Sequence, residues 1–109
     1  MDFEAAFSEI SSTFDENLPK KRRLSYLQAF GFGYTLGDLI FKTFGQLEQS
    51  DQRALYLRLE EWIERRCSPI KWRNAHSVPR GEASSWLQSH FSIVLRECRI
   101  EYKITLEEA

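Results

Sequence analysis

Apolar residues recur at helical spacing over four stretches of this chain and at alternating spacing over a fifth. Phe3, Phe7, Ile10 and Phe14 step by four, three and four, with Glu4, Glu9, Ser11 and Ser12 off the stripe. That spacing predicts an amphipathic helix over residues 2–17. Asp2 is placed to cap its start, and Pro19 ends it by steering the preceding residue out of helical angles. A second helix is predicted over 20–44, where Leu24, Leu27, Phe30, Tyr34, Leu36, Leu39, Ile40, Phe41 and Phe44 surround most of the cylinder and imply central burial. Gly31, Gly33 and Gly37 each cost such a helix about 1 kcal/mol relative to alanine. Close approach of a neighbouring helix at the Gly33–Gly37 step is the simplest compensation, and a kink near 31–33 is the competing one.

Gly45 suits the residue just past that helix, and Ser50 or Asp51 suits the cap of a third. The third helix runs to about residue 67 on Leu55, Leu59, Trp62 and Ile63. Residues 68–80 are bracketed by Pro69 and Pro79 and read as a loop with a short extended piece at 70–73. A fourth helix fits 83–98, with Trp86, His90, Phe91, Val94, Leu95 and Cys98 inward. Beyond it Ile100, Tyr102, Ile104 and Leu106 alternate with polar residues, the pattern of a strand. A lone strand is unstable, so it would need the 70–73 segment, a second copy or another protein as partner. The alternative is that helix four continues through it.

The predicted architecture is therefore mostly α: a compact four-helix bundle over a single domain, 1–109, with helix two at its centre. A C-terminal strand would make it α+β. With 42% hydrophobic and 14% aromatic residues the chain can build a core and is not of the disordered class. Two cysteines, Cys67 and Cys98, are too few for a disulfide scaffold and are expected as reduced thiols. The start lacks the basic region of a signal peptide, and the apolar stretch at 24–44 contains Asp38 and Lys42, so a soluble cytoplasmic protein without membrane contact is expected.

A net charge of −1 conceals charge blocks. Residues 1–18 carry only acids, Lys20, Lys21, Arg22 and Arg23 are consecutive cations, and residues 65–80 hold Arg65, Arg66, Lys71, Arg73 and Arg80 with no carboxylate. Cations in the first turn of helix two would oppose its dipole, so either that helix starts nearer Ser25 or the charge serves a partner. Arg65 and Arg66 suit the last turn of helix three.

Catalytic patterns are weak. Cys67 and Arg73 have the Cys-x5-Arg spacing of cysteine phosphatases, but a helix precedes the cysteine, no glycine lies between, and Pro69 removes a backbone donor. The two histidines lack a second ligand at metal spacing; His90 is expected as a hydrogen-bonded core residue and His76 as solvated. Adjacent acids such as Glu60 and Glu61 diverge by about 100° on a helix and do not form an acid–base couple. No metal, cofactor or catalytic residue is expected.

The leading expectation is a small non-enzymatic binding protein (adaptor, inhibitor or immunity-type protein, or assembly subunit) acting through protein–protein contacts. Trp72, Arg73, Lys71, Arg80 and Tyr102 are its candidate contacts, and a homodimer is one form it could take. The alternative is a nucleic-acid-binding accessory protein using Lys20, Lys21, Arg22, Arg23, Arg65 and Arg66 with the same loop. Overall neutrality weighs against that alternative. Whether the two basic clusters meet on one surface decides much between them.

Overall fold

The computed structural model describes residues 1–73 and 81–106. Four helices make up most of it: α1 (Phe3–Asn17), α2 (Tyr26–Phe44), α3 (Gln49–Cys67) and α4 (Ala83–Glu101). Two short strands, β1 (Arg23–Leu24) and β2 (Lys71–Trp72), precede α2 and α4 and pair in parallel. None of these helices is long and apolar enough to cross a membrane.

The helices pack as a ring in the order α1, α2, α4, α3, with α1 and α4 on one diagonal and α2 and α3 on the other. Within α1–α3 and α2–α4 the contacts advance in the same direction along both members, so each pair is parallel. Phe3 N–H donates to Asp51, Phe7 meets Trp62, and Arg66 pairs with Asp15. Likewise Tyr26 meets Trp86, Gly33 meets His90, Gly37 meets Val94 and Phe44 meets Tyr102. One apolar cluster joins all four helices; Ile10, Phe14, Leu36, Ile40, Leu55, Leu59, Leu87 and Phe91 are among its fully enclosed members.

The α1 stripe lies as the spacing predicts, with Ile10 and Phe14 enclosed and Phe3 and Phe7 half-buried, and the Asp2 carboxylate accepts from Ala5 N–H at 2.8 Å. The glycine step of α2 is a close approach within one continuous helix. A Cβ at Gly33 would stand 2.9 Å from His90 Cδ2, and one at Gly37 3.1 Å from Val94 Cγ2.

Several expectations need correction. Helix α2 starts at Tyr26, because Ser25 and Gln28 form a reciprocal capping box. Lys20–Arg23 therefore lie ahead of the helix, and the dipole argument does not apply to them. Nor is α2 central: Leu27, Tyr34 and Phe30 are 80%, 69% and 55% exposed. Helix α3 begins at Gln49, without a side-chain cap bond; Asp51 holds the α1 N-terminus instead. Gly45 keeps right-handed angles (φ −65°), and its lack of a Cβ leaves room for the Tyr102 hydroxyl.

The C-terminal strand is absent. Helix α4 continues through Glu101, and the alternation at 100–106 comes from its cap and an extended tail. Lys103 adopts φ 52°, Lys103 N–H donates to Ile100 O, and Ile104 N–H donates to Arg99 O, the paired bonds of a Schellman motif. Ile104 then buries against the core, and the Leu106 carbonyl accepts from Arg53. The segment that pairs with 70–73 is residues 23–24.

Candidate functional site

The two strands create the feature the sequence left open. After Pro19 the chain turns tightly, Arg22 N–H donating to Pro19 O at 2.9 Å, with Arg22 at φ 53°. A left-handed non-glycine residue costs about 1–2 kcal/mol. The turn sends Leu24 inward while Arg23 stays outside. After α3 the chain buries Ile70, then runs beside β1: Lys71 N–H donates to Arg22 O at 3.0 Å and Arg73 N–H to Leu24 O at 2.8 Å. Two enclosed apolar anchors, Leu24 and Ile70, thus fix the strands side by side.

The bridge brings Lys20–Arg23 beside Lys71 and Arg73 of the second basic cluster. Lys20, Lys21, Arg22, Arg23, Lys71 and Arg73 are all exposed, and none takes part in an ion pair among the described residues. Arg23 and Lys71 stand in register across the strand pair. Like charges directly opposite destabilise a strand pair. Like-charge register and a left-handed arginine in one short turn are features that fold stability does not call for.

Aromatic rings back this basic edge. Trp72 is half-buried, its indole N–H donating to Gly81 O at 3.2 Å, and its ring lies 6.2 Å from Tyr26 and 6.3 Å from Trp86. Tyr26 packs edge-on to Trp86 at 5.8 Å and is 43% exposed. Trp86 stacks on His90 at an interplanar angle of 3°. Among the described residues His90 Nε2 is enclosed without a hydrogen-bond partner, unlike the hydrogen-bonded histidine the sequence suggested, and the ring is held by Trp86, Phe91 and the Gly33 backbone.

Other candidate residues lie elsewhere. Arg66 pairs with Asp15 and covers the Phe14 and Trp62 rings, so its charge is already engaged. Arg65 lines a groove with Glu61 and Glu64. Tyr102 sits at the opposite end of the α2–α4 pair, half-buried, stacked on Phe44 and donating its hydroxyl to Phe41 O at 3.0 Å; burial raises its pKa. It closes that end of the pair, apart from the basic edge. Arg80 and His76 fall outside the described residues.

Leu27, Phe30 and Tyr34, which the apolar pattern places in the core, are surface residues, and Tyr26, to which the pattern gives no role, is exposed beside them. The signal was present: Asp38 and Lys42 continue the face that carries Leu27 and Tyr34, and charged residues mark a helix's wet side.

The arrangement can hold anions and offer aromatic edges. The thiols contribute no nucleophile at neutral pH. Cys67 and Cys98 are both enclosed, and burial pushes each up to about 12. Among the described residues no three His, Cys, Asp or Glu side chains group as metal ligands would. Compared with protein-family models, with curated proteins and with solved structures, the chain matches none.

Proposed function

We propose that the chain is a non-enzymatic binding protein whose contact surface is the basic, aromatic-backed end, and that this surface takes the phosphate backbone of a nucleic acid. The observation that carries the reading is the β1–β2 bridge, which joins Lys20–Arg23 to Lys71 and Arg73 with no described ion pair among them. Local charge offsets the objection from overall neutrality, because counterion release depends on the cations at the contact. Tyr26 adds an exposed ring beside those cations for stacking on a base.

Fluorescence anisotropy with labelled single- and double-stranded DNA and RNA tests it. Three to six phosphate contacts would weaken binding roughly twentyfold to a thousandfold between about 50 and 200 mM salt. Joint replacement of Lys21, Arg22, Lys71 and Arg73 by alanine should remove binding. No binding at the lower salt would overturn the reading.

One observation favours a second reading, an acidic protein partner. Trp72 is tied to Gly81 O and packed against both Tyr26 and Trp86, which suits a fixed arginine–tryptophan hot spot better than a free stacking platform. On that reading Trp72→Ala weakens partner binding more than loss of Lys20 or Lys21, and nucleic acid does not bind.

A further inference from the structure

Each glycine of α2 can be asked what its missing side chain admits. Gly33 admits His90 and Gly37 admits Val94, but a Cβ at Gly31 would meet nothing within 4 Å. An exposed glycine inside a helix costs about 1 kcal/mol relative to alanine and here gains no contact within the subunit. Gly31 also lies on the outer face of α2, flanked by Leu27, Phe30 and Tyr34, three large side chains that are more than half exposed. Single exposed apolar residues are ordinary; a run of them on one helical face marks an interaction surface.

We infer that this face is the interface of a symmetric homodimer, with α2 packed antiparallel against α2 of a second copy. Centring the twofold between Phe30 and Gly31 sets Leu27 opposite Tyr34 of the partner subunit. Phe30 then lies beside Phe30 of the partner subunit on one edge. Gly31 lies beside Gly31 of the partner subunit on the other, where bare backbone lets the helices close. Asp38 pairs with Lys42 of the same helix at 3.0 Å, so these charges at the end of the face are balanced within each copy. A formal charge of −1 leaves little repulsion between copies.

The area is sufficient. Burying Leu27, Phe30, Tyr34 and the neighbouring exposed Tyr26 and Ile93 on both copies removes on the order of 1,000 Å², the lower bound for a specific interface. The inference stands apart from the nucleic-acid reading, since the faces are distinct and share only Tyr26 at their border.

Sedimentation equilibrium of the full chain over about 1–200 µM, the range of ordinary dimer dissociation constants, tests it. The expected result is a concentration-dependent rise towards twice the 12.9 kDa chain mass. Gly31→Leu should remain at the monomer mass throughout with a thermal midpoint equal to or above that of the unaltered monomer, since leucine is the better helix former and has open space there. Leu27→Asp, at a position 80% exposed in the single subunit, should weaken association at least tenfold. An unaltered chain that stays monomeric overturns the inference, as does a Gly31→Leu chain that dimerises undiminished. Anisotropy on the Gly31→Leu monomer tests the nucleic-acid reading separately.

Discussion

The two parallel helix pairs close the middle of their seams differently. In α1–α3 large side chains do the work: Phe14 packs edge-on against Trp62 at 5.0 Å, Phe7 does so at 5.4 Å, and Arg58 and Arg66 cover the Phe7 and Phe14 rings. Asp51 and the Asp15–Arg66 pair tie its two ends. In α2–α4 aromatic pairs such as Tyr26–Trp86 and Phe32–Phe91 also cross the seam, but at its middle His90 and Val94 rest on the backbone of Gly33 and Gly37. The first pair spends its aromatic residues on its own seam. The second keeps Leu27, Phe30 and Tyr34 outside, so the candidate surfaces lie on the half of the molecule that needs large residues least.

That contrast can be broken from either side. Trp62→Ala should cost most, about 3–5 kcal/mol in denaturant unfolding, because an enclosed indole shared by Phe7 and Phe14 leaves a cavity. The thiols come next, one in each pair. Each ionises at 9.0 in the open chain and near 12 in the fold, so above pH 9 the folded state holds more protons than the unfolded one. Stability is therefore complete below pH 9 and is lost as pH rises towards 12. Two such groups imply a loss of about 3 kcal/mol by pH 10. Cys67→Ala and Cys98→Ala should each remove about half of that slope.

Gly33→Val should cost about 1–3 kcal/mol, because the new side chain enters the space of His90. His90→Ala in the same chain should return much of it; if the effects simply add, the seam is not closed by that contact. The smallest change is Asp15→Asn, at most about 1 kcal/mol and weaker in high salt, as befits a half-exposed ion pair.

Much of this fold was legible in the sequence, and the failures have physical causes. The α1 and α3 stripes were readable because each faces one core on one side. The close approach at Gly33 and Gly37 followed from the cost of two glycines in a helix. Helix α2 was misread because its outer face is apolar, and an all-round apolar pattern does not distinguish a central helix from one with an exposed binding face. Ser25 and Gln28 did carry the correct start as a capping-box pair. The tail's alternation resembled a strand because an extended segment over a core alternates too, and no short-range cue placed Lys103 in a left-handed cap. Of the site, the cations and Trp72 were visible individually. Their convergence was not, since a two-residue bridge between segments 48 positions apart leaves no periodic trace.

The ring order also bears on how quickly the chain finds this structure. Helices α2 and α3 follow one another through a short link yet lie on a diagonal, so this hairpin contributes little packing of its own. Closure must wait for α4 to reach α2 and α3 to reach α1, each across an intervening helix. Loops of that length carry an entropic cost before any contact repays it. The protein should fold towards the millisecond end of the helical range, its rate most sensitive to the seam at Gly33 and Gly37.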